Sequence, residues 1–140
     1  MKIRKAKEED LREISKILME ESVKKPYNEK FTKGSAFKDA LEFFKHDLYV
    51  VTEGKTIIGF IASHILSSDK EKAYIDELWI KQNYQRNGAG KMLVKFIEDK
   101  YKKKGISKIR LTTKKNARAY KFYNKLKYKD ASLVYMEKKI

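Results

Sequence analysis

Cysteine is absent from the 140-residue chain, and proline occurs only once. Without cysteine the chain can form no disulfide, no thiolate metal site and no covalent cysteinyl intermediate. No stretch approaches the roughly 20 apolar residues of a membrane-spanning helix, and the charged segment Met1–Asp10 lacks the apolar core of a signal peptide. The sequence therefore predicts a single soluble, cytoplasmic domain with its own hydrophobic core.

Acidic residues are also fewer than basic ones: the chain has 19 Asp and Glu but 34 Lys and Arg, which gives a net charge of +15. Such a surface attracts anions, including nucleic acid and the phosphates of nucleotide cofactors. A lysine-rich compositional bias has the same signature, so charge alone selects no partner. Lysines interleave with aromatics at 101–104 and 125–129, which leaves a nucleic-acid binding module as an alternative function. It is the weaker one, because both runs border amphipathic helices whose solvated faces normally carry lysine.

Hydrophobic periodicity predicts an α/β domain of the α+β type, with a central mixed sheet flanked by helices. Helical spacing predicts helices over 8–22, 35–45, 88–104 and 116–126. Ser35 is the expected N-cap of the second helix, whose buried face would hold Phe37, Ala40, Leu41 and Phe44. Extended patterns predict strands over 3–6, 48–52, 56–66, 73–80, 108–113 and 133–138, with a hairpin turn at Gly54.

The segment Gln85–Lys91 connects a predicted strand to the predicted long helix and contains Gly88 and Gly90. Glycines allow a tight turn, and the first amides of a helix have no internal acceptor, so this turn predicts an anion site. A P-loop is excluded because Met92 follows the Gly-Lys pair in place of Ser or Thr. A dinucleotide fingerprint is excluded because its third glycine is replaced by Leu93.

The motif Gln85-x-x-Gly88-x-Gly90 follows the predicted strand Ile75–Ile80, and the segment Asn116–Tyr128 begins with the pattern Asn-x-x-Ala-x-x-Phe-Tyr. The first is similar to the cofactor motif of the GNAT acetyltransferases, and the second is similar to a helix motif of that family. The order of elements also matches over essentially the whole chain. The resemblance implies one N-acetyltransferase domain over residues 1–140, which moves an acetyl group from acetyl-CoA to a primary amine.

The chain departs from the family pattern after this helix. Lys127 and Tyr128 replace the usual Gly-Phe, and the tail 129–140 is short for the usual closing hairpin. The tail could form one long strand, and a second subunit could cover an exposed edge there, which leaves a homodimer open.

The resemblance also implies roles for individual residues. Backbone groups on the central strand and Asn116 would bond the pantetheine arm, and the amides of the glycine turn would bind the pyrophosphate, with Arg86 and Lys91 offsetting its charge. The implied cofactor-binding residues are Leu78, Trp79, Ile80, Gln85, Arg86, Asn87, Gly88, Ala89, Gly90, Lys91, Asn116 and Tyr123.

Tyr123 also occupies the general-acid position of the family. Asp76 and Glu77 are the candidate bases, and because neighbours on a regular strand face opposite ways, only one of them is expected to point at the substrate, with Glu77 preferred. His46 and His64 are isolated in sequence, so no metal is expected. A non-catalytic acetyl-CoA sensor is a further alternative. The acceptor stays open among polyamines, aminoglycosides, amino acids, amino sugars and protein amines.

Overall fold

The five strands of the central sheet lie side by side in the same order as in the sequence. A computed structural model describes all 140 residues. Its elements are β1 (Lys2–Lys5), α1 (Leu11–Ser22), α2 (Lys33–Phe44), β2 (Asp47–Glu53), β3 (Thr56–Ile65), β4 (Lys72–Ile80), α3 (Ala89–Lys103), β5 (Lys108–Arg110) and α4 (Arg118–Lys125). The strand order is β1-β2-β3-β4-β5, with β1 to β4 antiparallel and β5 parallel to β4. The predicted mixed sheet flanked by helices is confirmed.

Two hydrophobic cores lie on opposite faces of this sheet. Helices α1 and α2 cover one face, where Ile14 and Leu18 pack with Phe60 of β3. Helix α3 covers the other face, where Leu93 and Ile97 belong to the second core. Strands β2 and β3 are buried on both faces and therefore read as nearly continuous apolar runs. None of the helices is both long enough and apolar enough to cross a membrane.

The start of α2 differs from the sequence prediction. Thr32, not Ser35, is the N-cap, and its hydroxyl accepts a hydrogen bond from the Ser35 amide at 3.0 Å. Ser35 instead completes the capping box as the third helical residue. The buried residues of the helix are Ala36 and Ala40, whereas the predicted core residue Leu41 is 41% exposed.

The C-terminal part of the chain also differs. Strand β5 ends at Arg110 instead of Thr113, and residues 129–140 form neither helix nor strand. The strand predicted over 133–138 is therefore wrong for the single chain. The apolar pattern of that segment is real, but a strand needs a neighbour to hydrogen-bond with, and none is present.

Candidate active site

Strand β4 leaves its regular pairing at Asp76. Two successive residues of β3, Ala62 and Ser63, pair with Glu77 and Ile75, so Asp76 is an extra residue without a partner. Such a β-bulge bends a strand and increases its twist. Strand β5 pairs only with the first three residues of β4. Beyond the bulge the two strands diverge, and the edge of β4 over 76–80 has no neighbouring strand on that side.

The bulge also changes the direction of two carboxylates. Asp76 Oδ2 lies 2.6 Å from His64 Nδ1, and Glu77 Oε2 accepts a hydrogen bond from Trp79 Nε1 at 2.5 Å. Both carboxylates lie on the side of the sheet covered by α1 and α2, where Trp79 packs against the first core. The expectation that Asp76 and Glu77 lie on opposite faces of the strand is wrong, because the alternation of a regular strand does not continue through a bulge.

The carboxyl group of Glu77 is electrostatically unusual. Burial raises its pKa from the usual 4.5 to about 7, because a charged carboxylate is poorly solvated there. The hydrogen bond from Trp79 opposes this shift, whereas the negative charges of Glu29, Asp39 and Asp76 add to it. At neutral pH Glu77 is therefore balanced between its charged and neutral forms, which suits a group that takes up and releases a proton.

Tyr123 lies on α4 and is 7% exposed. Its ring packs edge to face against Phe122 and Tyr128, with centroid distances of 5.0 and 5.3 Å. Burial is the main reason that the pKa of Tyr123 is raised, and the charges of Tyr27 and Glu77 add to the shift. The phenol therefore keeps its proton at neutral pH, and the carboxylate of Glu77 is near enough to affect its pKa.

Tyr27 completes this region from the segment between α1 and α2. Its ring makes an edge-to-face contact with Trp79 at 4.9 Å. Lys114 holds the segment in place by donating hydrogen bonds to the carbonyls of Pro26 and Tyr27 at 2.9 and 3.3 Å. Sequence reasoning missed Tyr27 and also Asp39. The only signal was an aromatic residue next to Pro26, in a segment without periodicity.

The turn between β4 and α3 presents a set of unused backbone amides. Arg86 and Gly88 have left-handed φ angles of 69° and 89°, which curve the chain into a concave loop. The amide of Ala89 is capped by Asn87 Oδ1 at 3.2 Å. Five other amides of the loop have no hydrogen-bond partner in the chain: those of Arg86, Asn87, Gly88, Gly90 and Lys91. We call these five groups the amide nest. Clustered N–H groups of this kind bind anions.

Gln85 fixes the nest relative to the rest of the site. Its Nε2 donates to the carbonyl of Ile80 at 2.9 Å, and its Oε1 accepts from Arg118 Nη1 of α4 at 3.0 Å. The side chain thus ties the end of β4 to α4 and faces the protein instead of the nest. Asn116 is exposed in the turn before α4, and its side chain makes no hydrogen bond.

The two histidines are closer than the sequence suggests. The rings of His46 and His64 lie 5.6 Å apart, although 18 positions separate them in the chain. They are therefore neighbours, contrary to the expectation of isolated residues. No group of three or more His, Cys, Asp or Glu side chains is arranged to hold a metal ion.

Solved structures with the same fold come from several organisms. A possible acetyltransferase from Clostridium difficile 630 superimposes with a TM-score of 0.84 at 20% identity, covering 99% of this chain and 97% of that one. An aminoglycoside acetyltransferase from an uncultured soil metagenomic sample, in complex with sisomicin, gives 0.72 at 24% identity, covering 99% and 95%. The PaiA N-acetyltransferase of Thermoplasma acidophilum, in complex with coenzyme A, gives 0.68 at 25% identity, covering 89% and 87%.

The family comparison covers most of the chain. The model of the acetyltransferase (GNAT) family matches residues 9–128, which include the bulge, the amide nest and Tyr123. Only the first eight residues and the tail fall outside the match. The chain belongs to the GNAT family of acetyltransferases.

Proposed function

We propose that this GNAT protein transfers the acetyl group of acetyl-CoA to a primary amine, with Tyr123 as general acid and Glu77 as general base. The observation that carries the proposal is the divergence of β4 from β5 between the amide nest and Tyr123. It leaves the backbone of β4 without a neighbouring strand after Tyr74, in the stretch that contains Glu77 and leads to the amide nest.

The residues present fit the parts of acetyl-CoA. Leu78, Trp79 and Ile80 lie on the unpaired edge of β4, where the amides of a pantetheine arm can bond as an added strand would. The amide nest suits the diphosphate, and the side chains of Arg86 and Lys91 at the same turn offset its charge. Asn116, which is exposed in the turn before α4, is assigned a contact to the arm. Bound acetyl-CoA supplies an acetyl group activated as a thioester.

The two proton transfers are assigned to two residues. Glu77, as carboxylate, takes a proton from the amine, directly or through one water, as the amine nitrogen bonds to the acetyl carbon. The acceptor must first become a free amine, and releasing that earlier proton to solvent at pH 7 costs about 5 kcal/mol for an ammonium group of pKa about 10.4. Tyr123 gives its proton to the sulfur as the carbon–sulfur bond breaks, so that the products are an amide and a neutral thiol. The proton that Glu77 has gained then passes to the Tyr123 phenolate, directly or through water, which restores both groups for the next turnover.

The charges around Glu77 favour an acceptor with more than one amine. Glu29, Asp39 and Asp76 are close enough to raise the pKa of Glu77, although the chain as a whole carries +15. This acidic cluster would hold a second ammonium group while the reacting amine loses its proton. An aminoglycoside acetyltransferase among the structural neighbours supports the same acceptor class. Diamines, polyamines and aminoglycosides are therefore the acceptors to assay first.

The test compares Tyr123→Phe with Tyr120→Phe, a half-buried tyrosine on the same helix. Release of free thiol gives kcat with a polyamine or aminoglycoside acceptor, and calorimetric titration gives the affinity for acetyl-CoA. We expect Tyr123→Phe to lower kcat about 100-fold or more at unchanged affinity, since a positioned acid contributes roughly 10²- to 10⁴-fold. Tyr120→Phe should change neither value. Unchanged turnover in Tyr123→Phe would remove the acid role.

A further inference from the structure

The net charge of the chain belongs to its second part. Residues 1–80 contain equal numbers of basic and acidic side chains, 15 of each, so their charges cancel. Residues 81–140 contain 19 Lys and Arg but only four Asp and Glu, which accounts for the whole net charge of +15. A lysine-rich compositional bias would act on both parts alike, so it does not explain this separation.

The fold places the two parts on opposite faces of the sheet. The neutral part supplies α1 and α2, which cover the first core, and the basic part supplies α3, β5 and α4. Both α3 and α4 bury their apolar side chains in the second core, so their outer surfaces carry the excess of positive charge. Of the 19 basic side chains, 17 are exposed. Only Lys81, Lys95 and Lys115 form an ion pair with a carboxylate.

Lysines of α3 and of the end of α4 come together on this side. Tyr128 donates a hydrogen bond from its hydroxyl to Glu98 Oε2 at 2.9 Å, which holds the segment 125–129 against the middle of α3. Lys95 and Lys102 are seven positions apart on α3, so they lie on one outward stripe of that helix. We call the five exposed ammonium groups of this region the basic face: Lys95, Lys102, Lys125, Lys127 and Lys129.

The aromatic residues that interleave with these lysines in the sequence do not belong to the exposed surface. Tyr101 is buried, and its hydroxyl donates to Asp47 Oδ2 at 2.7 Å. Tyr128 is half-buried and bonded to Glu98. The basic face therefore offers ammonium groups to the backbone of a charged polymer but no aromatic platform for stacked bases.

The basic face reaches well beyond the amide nest at the start of α3. Lys102 follows Gly90 by 12 positions, which at 1.5 Å per residue is about 18 Å along the helix. Exposed charges are screened over about 8 Å at physiological ionic strength. Lys102 and the lysines beside it therefore add little to the binding of one diphosphate, and an anion that uses the whole face must be longer.

A nucleic acid backbone has the length and the charge spacing that fit this face. Each strand of a duplex carries one phosphate per about 3.4 Å of its axis, so several phosphates can lie along about 18 Å of surface. A membrane fits less well, because helices that lie on lipid bury large apolar side chains next to their lysines, and α3 and α4 expose none. We propose that the basic face binds nucleic acid through its phosphates, without sequence specificity, as a second binding surface that is independent of acetyl transfer.

The first test is fluorescence anisotropy of the full-length protein with a labelled RNA strand and a labelled DNA duplex, each about 20 nucleotides long. We expect dissociation constants of about 1 to 100 μM. The affinity should fall with salt on a log–log slope of about −3.5 for the single strand and about −4.5 for the duplex, since five lysines displace counterions. No binding to either polymer at about 50 mM salt would overturn the proposal, as would tighter binding to phosphatidylserine vesicles than to both polymers.

Two triple variants with the same change of net charge then locate the surface. The face variant combines Lys95→Glu, Lys102→Glu and Lys125→Glu. The control combines three exposed lysines of α1 and α2, as Lys16→Glu, Lys33→Glu and Lys38→Glu. The face variant should lose at least tenfold in RNA affinity and about three units of salt slope, whereas the control should lose less than about threefold. Equal losses in the two variants would mean that net charge, and not the basic face, attracts the polymer.

Acetyl-CoA separates this surface from the proposed reaction. The face variant should bind acetyl-CoA within about twofold of the parent affinity in a calorimetric titration, and saturating acetyl-CoA should leave RNA bound to the parent protein. Displacement of RNA by acetyl-CoA, or loss of both affinities together in the face variant, would mean one shared anion site and would contradict the proposal. Tyr123→Phe should bind RNA as the parent does, whatever its turnover.

Discussion

Among single residues, Glu77 is the proposed general base, and its ionisation also affects the stability of the fold. Its pKa is raised from 4.5 to about 7 on folding, so the folded chain binds this proton more tightly than the unfolded chain does. The contribution to stability is complete below pH 4.5 and is lost as the pH rises through 7. A difference of this size corresponds to about 3 kcal/mol of unfolding free energy.

Glu77→Gln should therefore be more stable than the parent protein at pH 8, by about 1 to 3 kcal/mol, because glutamine cannot ionise but can still accept the Trp79 hydrogen bond. At pH 4.5 or just below, the two proteins should unfold at nearly the same denaturant concentration. Urea titrations at the two pH values measure the difference. The variant should also lose most of its turnover at pH 8. Equal stability at both pH values would show that the Glu77 carboxyl titrates normally.

The sequence predicted which residues belong to the candidate site better than it predicted which way their side chains point. The resemblance placed Tyr123, Glu77 and the glycine turn at the site, and the structure brings Tyr123 and Glu77 within electrostatic reach of each other. Whether Asp76 and Glu77 face the same way was not predictable, because polar residues on both sides of a bulge read as ordinary alternation. Tyr27 and Asp39 were missed because neither the tertiary position of a loop residue nor the element against which a helix face packs has a local sequence signal.

At the level of elements, the amide nest depends on a backbone shape that few residues adopt. Gly88 has a φ of 89°, and a methyl group there would meet no atom within 4 Å, so its requirement is conformational and not steric. Gly90 is the matched contrast, because its φ is ordinary and a methyl group would touch the Phe122 ring at 3.4 Å, a normal contact distance.

Gly88→Ala should therefore weaken acetyl-CoA binding about tenfold, since a left-handed non-glycine residue costs about 1 to 2 kcal/mol and the turn relaxes away from the nest. Gly90→Ala should change the affinity by less than about threefold. Calorimetric titration of both variants compares them directly. Equal losses of acetyl-CoA affinity in the two variants would mean that the space for a side chain, and not the backbone conformation, limits binding at the turn.

Elements with strong periodicity were predicted well, and elements that depend on a partner were not. The four helices and the antiparallel meander follow from spacing of apolar residues, because each buries one face or both. The prediction failed at the α2 N-cap, where Thr32 competes with Ser35 for the same role. It also failed over 133–138, where the apolar pattern indicates a strand but the neighbouring strand is missing from the single chain.

For the molecule as a whole, the net charge of +15 favours the approach of an anionic cofactor. We expect the KM for acetyl-CoA to rise several-fold as ionic strength increases from about 0.05 to 0.5 M, while kcat stays nearly constant. A short acetyl thioester without the nucleotide diphosphate serves as the control and should show little salt dependence in KM. The same salt dependence for both thioesters would locate the effect outside the amide nest.

The bulge at Asp76 has a consequence for how such a cleft can arise. Without that one residue, β4 would continue its regular pairing with β3, Glu77 would keep its place opposite Ala62, and the strand would lose the bend that separates it from β5. The change from continuous pairing of β4 to a strand bent at one position therefore amounts to a single inserted residue. One extra residue thus separates a strand with regular pairing throughout from the bent strand found here.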